Sequence, residues 1–496
     1  MGLASVAVYS ACDRNALHVR LADHAHAIGP DQASESYLRI DKLIDAAKTT
    51  GADAVHPGYG FLAENAEFAE ACGQAGLTFI GPSPDVMAMM GSKTGARRMA
   101  SLAGVPVVPG TEAPLDAQTP SLQLTEAAAA VGYPLLVKAV AGGGGKGMRV
   151  VRRADDLPGA VAMARSEARS AFGDDAVYFE RLLERPRHVE VQLLGDAHGT
   201  VVPCVERECS IQRRHQKLVE ESPSPSVSQA LRVQLTASAA AIGRAVGYTS
   251  AGTVEFLLDA QGKYYFLEMN TRLQVEHPVT EAVTGIDFVR AQIEIAQGAK
   301  LADLGLADLA GGEPAFRPAN GHAIECRIYA EDPERGFLPS PGLITHLRAP
   351  SGPGIRDDSG AFAGWVVPTS YDPLISKVIA WAPDRAGATA RMVRALREYE
   401  LRGIKTTIGF CRGLLETPAF KTGDFDTTTV DRGIRFLPDP ADGGGLSESG
   451  AEVDELVAVA AALYAHAEAS RPRAGGQRPH TTESLWTKQA RLEGLR

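Results

Sequence analysis

A mixed fold, α/β at the N-terminal end and α+β further on, is predicted by three features of this 496-residue chain. Over residues 1 to about 90, short apolar strands alternate with helical patterns, the pattern of a parallel α/β unit. Apolar runs at 253–258 and 264–268 flank a short turn containing Gly262, as in a buried hairpin. Strand-like runs at 321–329, 342–347 and 374–381, followed by helical patterns near 385–400 and 406–416, predict an antiparallel α+β part.

The totals fit two or three domains, each with its own core: 45% of residues are hydrophobic and 22% charged. A net charge of -10 argues against a nucleic-acid partner, which needs clustered excess Lys and Arg. Six cysteines, at 12, 72, 204, 209, 326 and 411, include no Cys-x-x-Cys pair, so reduced thiols in a cytoplasmic protein are expected. No run of 18 apolar residues exists, and no membrane association is expected.

In chain order, strands are expected at 5–9, 52–56 and 77–80, with helices near 36–50 and 63–75. Gly58-Tyr-Gly60-Phe-Leu-Ala63 fits the dinucleotide fingerprint, but His56-Pro57 stiffens its entrance and no suitably placed acid follows. A helix from Lys93 to about 103 precedes a strand at 133–138 that ends in Lys138. The glycine run 142–147 and a strand at 148–151 come next. Its glycines free the backbone to bend around phosphate oxygens while Lys138 and Lys146 supply charge. A strand, not a helix, follows Gly147, so this is no P-loop. Further strands are expected at 177–183 and 187–192. The segment 206–217 mixes acidic and basic residues and fits an anion site better than a solvated face. A helix is expected from 277 to about 297, a connector at 299–319, and an Ala-rich helix at 451–470 between polar linkers.

The stretch 268–277 carries the chemistry. Glu268, Asn270, Arg272, Gln274 and Glu276 occupy alternate positions, so an extended backbone places all five on one side. If residues 261–262 form a two-residue loop, Ala260 pairs with Lys263 and Glu255 faces Glu268. Two facing carboxylates repel, so a cation must share the site or one pKa must rise. Oxygen donors alone, with Asn270 beside them, favour Mg2+ or Mn2+ over zinc.

With these residues in view, the sequence resembles the biotin carboxylase family, a branch of the ATP-grasp enzymes, over residues 1 to about 437. Four motifs carry the resemblance: HPGYGFLAEN at 56–65, GGGGKGMRVV at 142–151, ECSIQRRHQKLVEE at 208–221 and EMNTRLQVEHPVTE at 268–281. It implies an N-terminal subdomain at 1–90 and an ATP-grasp domain at 91–300 whose mobile Gly-rich lid spans about 109–182. A C-terminal subdomain at 301–437 and a linker with a helical tail at 438–496 complete the chain. The implied activity is ATP-dependent carboxylation of carrier-bound biotin by bicarbonate through carboxyphosphate. That is the first half-reaction of an acetyl-CoA or other acyl-CoA carboxylase, as in fatty acid biosynthesis.

By the same resemblance, Glu255, Glu268 and Asn270 hold Mg2+ (or Mn2+), Lys93 and Lys138 contact ATP phosphates, and Gly144 and Gly145 lie in the lid. Backbone groups of Glu180 and Leu183 hold adenine, with His188, Gln212 and His215 lining the nucleotide pocket. Glu276 is the general base for bicarbonate, held by Lys217, Arg272, Gln274 and the Val275 backbone, and Arg327 stabilises the biotin enolate.

Two departures from the family pattern shape the expectations. The family starts with an earlier strand and helix bearing Asn-Arg-Gly-Glu, and this chain begins at what resembles its second strand, through a late start or as a damaged variant. A sheet lacking its first strand and a weakened homodimer contact are expected. No Ala-Met-Lys-Met motif occurs, so biotin is expected on a separate carrier protein, or the C-terminus has been cut. The further partner expected is the carboxyltransferase component. Competing readings are a carboxylate–amine ligase, such as a carbamoyl phosphate synthetase fragment or purine-pathway enzyme, and a silent carrier-binding scaffold. The RRHQK cluster set before the acidic row argues against the ligase.

Overall fold

The computed structural model describes residues 1–140, 148–306 and 316–433. Gly144, Gly145, part of the expected connector and the whole tail from 438 lie outside the described residues.

At the N-terminal end, β1 (Val6–Ser10) pairs in parallel with β2 (His24–Gly29), and β3 (Ala54–Val55) with β4 (Thr78–Phe79). The four strands form two separate pairs, and no described strand joins them. Helices α1 (Leu17–Leu21), α2 (Ile40–Thr50) and α3 (Ala66–Gln74) connect them, and Leu62, Phe68, Cys72 and Leu77 pack into one small core. Asn65 starts α3 by accepting the Phe68 N–H at 2.7 Å. The fingerprint-like residues 58–63 lie in the turns that connect β3 to that cap.

Two serines then punctuate the chain. Ser83 caps α4 (Pro84–Gly91) and Ser92 caps α5 (Lys93–Leu102), which places Lys93 on the first turn of a helix. Beyond it, β6 (Arg149–Val151), β5 (Leu135–Ala139) and β7 (Val177–Arg181) form a three-stranded sheet. Helices α6 (Ser121–Val131) and α7 (Leu157–Phe172) bury Val131, Val161 and Ala164 against its Leu135, Val137 and Phe179.

An eight-stranded antiparallel sheet runs through the rest. Its order is β12 (Tyr264–Asn270), β11 (Ser250–Leu258), β8 (Arg187–Gly195), β9 (Val201–Arg213), β10 (Gln216–Ser222), β13 (His322–Tyr329), then the strands Leu374–Ala382 and Ile355–Ser359. Side-chain alternation gives the sheet two characters near β8 to β12. Val189, Val191, Leu193, Val254 and Phe256 pack under α8 (Gln229–Ala245), a helix absent from the sequence-based expectations. Glu190, Gln192 and Glu255, at the intervening positions, face the other way. The β10–β13 pairing makes the sheet continuous across the segment between residues 222 and 322.

Three sequence expectations change. The 264–270 hairpin turns through three residues, 260–262, because Asp259 accepts the Gln261 and Lys263 N–H groups at 2.9 Å each. That longer loop alone would set Leu267 opposite Glu255, but a bulge after Phe266 restores the facing pair Glu255–Glu268. The helix expected at 277–297 is two, α9 (His277–Thr284) and α10 (Phe288–Ala296), because Gly285 at φ 73° ends the first and Asp287 caps the second. The strand expected at 342–347 is divided into Gly342–Leu343 and His346–Arg348, which join different partners.

After the sheet, α11 (Arg385–Glu398) and α12 (Ile408–Glu416) cover the C-terminal strands, with Met392, Leu396 and Leu414 packed on Ile324 and Ile328. Among the described residues no helix is long and apolar enough to cross a membrane. The six cysteines are unpaired.

The joint between β8 and β11 supplies a test of the packing. A Cβ at Gly195 would lie 2.0 Å from the Tyr248 carbonyl oxygen, a backbone atom with no rotamer to move. Gly195→Ala should lower stability by about 1–3 kcal/mol, read as a lower urea midpoint, whereas Gly159→Ala should not. Equal midpoints for both would contradict this packing.

Candidate active site

One row of side chains crosses the polar face. In the strand registers Glu268 faces Glu255, Glu255 faces Glu190, and Glu190 faces Arg207. Three carboxylates in adjacent strands require positive charge. Lys217, from β10, supplies it: its Nζ lies 2.6 Å from Glu190 Oε2, 3.1 Å from Glu255 Oε1 and 2.5 Å from Glu276 Oε1. Burial works against the ammonium, but the three carboxylates outweigh it and hold its pKa well above the usual range. Glu255 and Glu276 show the converse. Burial disfavours their charge, yet Lys217 and further cations, His188 for Glu255 and Arg327 for Glu276, hold both well below the ordinary carboxylate range.

This modifies the expectation of a metal between Glu255 and Glu268. Glu255 is already compensated by Lys217, by donors from Asn270 Nδ2 at 2.9 Å and Gln274 Nε2 at 2.8 Å, and by His188 Nε2 at 2.8 Å, out of hydrogen-bond alignment. Burial lowers the His188 pKa, but the Glu255 charge raises it further. Glu268 is different. No described residue donates a hydrogen bond to it, and burial together with Glu255 pushes its pKa up, opposed by the nearby charge of Lys93. An underserved carboxylate facing another carboxylate, with Asn270 beside it, fits a divalent cation held by oxygen.

The alternation argument for 268–276 holds only in part, because β12 ends at Asn270. Arg272 leaves the row: its Nε donates to Glu64 Oε2 at 2.9 Å and its terminal nitrogen to Asn270 Oδ1 at 3.3 Å. Glu64 also accepts the Thr271 N–H at 2.9 Å, which ties the strand end to the N-terminal unit. Gln274 and Glu276 reach the site by a turn, Glu276 being the residue just before α9. Its second oxygen accepts from Arg327 at 2.8 Å, and Arg327 Nε donates to Glu220 Oε1 at 2.5 Å. Burial and the neighbouring Glu276 charge push Glu220 up to about 7, although Arg327 works the other way. The Val275 carbonyl accepts from Lys377 at 2.7 Å, while its N–H has no described acceptor. The Val275 N–H is thus uncommitted beside Glu276, whose oxygens accept from Lys217 and Arg327, and a free N–H with cations one residue away suits a small anion.

The expected nucleotide residues lie further along. Lys93 Nζ donates to the Ala139 carbonyl at 3.3 Å, and burial lowers its pKa although Glu268 opposes that. Lys138 bonds the Glu180 carboxylate, whose other oxygen accepts from Arg97 at 2.5 Å, so the Glu180 side chain is committed within the protein. Leu183 follows β7 and lines a cavity of about 850 Å³ with Arg181, Leu258, Tyr265 and Phe425. Glu180, His188, Gln212 and His215 do not line that cavity. Gln212 faces Lys217 across β9 and β10, and these strands meet in a two-residue turn, Arg214 at φ 48° and His215 at φ 68°. Two non-glycine residues in the left-handed region cost on the order of 1 kcal/mol each, which the β9–β10 pairing on either side of the turn offsets.

Glu190, Arg207, Glu220, Glu64 and Lys377 were not singled out in the sequence. The cross-strand argument, carried to the other neighbour of Glu255, reaches Glu190, and Arg207 lay within the mixed cluster at 206–217. Glu64 and Glu220 lay within two of the quoted motifs, HPGYGFLAEN and ECSIQRRHQKLVEE, whereas Lys377 carried no comparable signal.

Three family descriptions match the chain in succession: "Biotin carboxylase, N-terminal domain" over residues 1–87, "Carbamoyl-phosphate synthase L chain, ATP binding domain" over 92–304, and "Biotin carboxylase C-terminal domain" over 325–432. The chain is similar to a biotin carboxylase of Nostoc sp., with 50% identity over 430 residues, 87% of this chain and 94% of the relative. It is 48% identical over 432 residues to biotin carboxylase 1 of Bacillus subtilis, 87% of this chain and 93% of the relative. Among solved structures, the biotin carboxylase-β-γ-ATP complex from Campylobacter jejuni superposes with a TM-score of 0.82 at 44% identity, covering 87% of this chain and 94% of that one. The biotin carboxylase domain dimer of Hydrogenobacter thermophilus 2-oxoglutarate carboxylase, solved with MgADP, ADP and bicarbonate, gives 0.81 at 42% identity, covering 87% and 92%.

Removing Lys217 tests the electrostatics. Lys217→Met should destabilise the fold by about 3–5 kcal/mol, because the carboxylates lose their shared cation. With it, Glu255 and Glu276 titrate low, so the stability these two contribute is lost as pH falls below about 4.5. Without it their folded pKa values rise above the unfolded ones and stability falls as pH rises. The wild-type-to-mutant gap in melting midpoint should therefore be larger at pH 8 than at pH 5. An equal gap at both would contradict this arrangement.

Proposed function

The chain belongs to the biotin carboxylase family, and on that premise we propose how its residues divide the work. The reaction is ATP-dependent carboxylation of biotin by bicarbonate. Its cofactors are ATP and Mg2+. Glu268, with Glu255 and Asn270, would hold the metal, which when bound neutralises charge on the ATP phosphates. The C-terminal subdomain at 301–437 contributes Arg327, and the segment 91–300 contributes the ATP-grasp elements, its lid at about 109–182 carrying Gly144 and Gly145.

The observation that carries this reading is Glu276 held between Lys217 and Arg327 next to the free Val275 N–H. Bicarbonate enters that donor set, with Gln274 and Arg272 at its margin. Glu276 takes the bicarbonate proton, and its ionised state at pH 7 is what Lys217 and Arg327 maintain. An anion placed among those cations weakens their hold, so the basicity of Glu276 rises once substrate is bound. The deprotonated oxygen then attacks the γ-phosphorus and ADP leaves, giving carboxyphosphate. Carboxyphosphate breaks down to CO2 and phosphate, phosphate takes the N1′ proton of biotin, and N1′ attacks CO2. Arg327 stabilises the negative oxygen of the biotin enolate.

Lys93 and Lys138 contact ATP phosphates, the Glu180 and Leu183 backbone holds adenine, and His188, Gln212 and His215 line the nucleotide pocket. Biotin arrives on a carrier protein. A carboxyltransferase partner then passes the carboxyl group to an acyl-CoA, in a cytoplasmic assembly. A homodimer is consistent with the dimer named for the Hydrogenobacter domain.

Two measurements check the assignment. Purified protein should hydrolyse ATP only with bicarbonate, and faster with free biotin. Glu276→Gln should lower that rate by about 10²- to 10⁴-fold while nucleotide still binds, and retained biotin-dependent turnover would remove the assigned base. Chelation should abolish turnover, Mg2+ or Mn2+ should restore it, and Glu268→Gln should raise the metal concentration required. An unchanged requirement would exclude Glu268 as a ligand.

A further inference from the structure

Arg207 is completely buried and has every N–H accepted. Its Nε donates to Glu190 Oε1 at 2.5 Å. One terminal nitrogen donates to Gln192 Oε1 at 2.8 Å and Thr280 Oγ1 at 3.0 Å, the other to Thr253 Oγ1 at 3.1 Å and Gln274 Oε1 at 2.9 Å. Five donors thus reach β8, β11, the turn after β12 and α9. Burying a guanidinium is unfavourable unless its charge is paired and its donors are met, and only the planar fork of Arg can meet five acceptors from one point.

We propose that Arg207 is the positioning residue for the bicarbonate site, acting through three groups it holds in register. The first is Gln274. An amide side chain can present either its oxygen or its NH2 to the site, and the bond from Arg207 fixes the oxygen inward. Nε2 therefore points outward, where it donates to Glu255 Oε1 at 2.8 Å. Reversal would set a carbonyl oxygen against carboxylates and against an incoming anion. The second is Lys217, reached through Glu190, whose two oxygens are divided between Arg207 and Lys217. The third is Glu276, reached through Thr280, which lies one turn into the helix that Glu276 precedes. Arg207 has no bond to Lys93, Lys138 or Glu180.

That separation makes the effect selective. The inference rests on the proposed use of Gln274, Lys217 and Glu276 for bicarbonate. Bicarbonate-dependent ATP hydrolysis by the wild type tests that use, and substituted Arg207 tests the positioning. Arg207→Lys keeps the charge and loses the fork. It should raise the KM for bicarbonate by about 10- to 100-fold while the KM for ATP stays within about twofold. Thr280→Val leaves Arg207 in place with one acceptor fewer, and should move the bicarbonate KM in the same direction by about two- to fivefold, even if Arg207→Lys fails to fold. A wild-type bicarbonate KM in either folded variant overturns the proposal. So does a parallel rise in both KM values with a lowered melting midpoint, the result of a purely structural role.

Discussion

The ammonium of Lys217 is the constraint on which the site depends. It touches Glu190, Glu255 and Glu276, which arrive from two strands and from the start of α9. At an effective dielectric near 20, one such contact at 4 Å is worth about 4 kcal/mol, and three together exceed the desolvation of a single ammonium. The carboxylates also repel one another, so removing Lys217 leaves each with only its remaining cationic partner, Arg207 for Glu190, His188 for Glu255 and Arg327 for Glu276. Two properties follow from one group: Glu276 stays ionised, and the residues able to meet an anion are locked in place.

The sheet makes that convergence possible. Antiparallel strands place facing residues a few ångströms apart, and alternation sends the apolar half of β8 and β11 under α8 while leaving the polar half together. A bulge after Phe266 keeps Glu268 on the polar side; with a continuous ladder from the three-residue loop it would have turned into the core. Glu268 then has no protein donor among the described residues, so the same irregularity that sets the fold leaves a carboxylate that a cation would satisfy. The continuous β10–β13 pairing brings Arg327 and Lys377 to the site from a part of the chain more than a hundred residues distant.

Much of this was legible in the residues. Alternating apolar runs marked β11 and β12, and the meeting of Glu255 with Glu268 followed from counting pairs, although the loop was longer and the register was recovered by a bulge. Strand boundaries were less visible: nothing in 271–276 announced that the chain leaves the sheet, so Arg272 was placed with the acidic row when it turns to Glu64. Local pattern showed that charges would cluster at 206–217, but not that Arg207 would be buried there, because burial is decided by β8, β11 and α9 closing over it. Lys217 was read as a bicarbonate group but not as the cation that also compensates Glu255, because it comes from a strand three places from β11 in the sheet. Tertiary pairing sets such contacts, and no window of adjacent residues contains them.

The ionisation state of Glu276 is the most direct test of the account. Side-chain carboxyl spectra of ¹³C-glutamate-labelled protein, with Glu276 assigned by its loss in Glu276→Gln, should show no titration of that resonance between pH 5 and pH 9. A Glu276 carboxyl that takes up its proton within that interval would mean that Lys217 and Arg327 do not hold it as described.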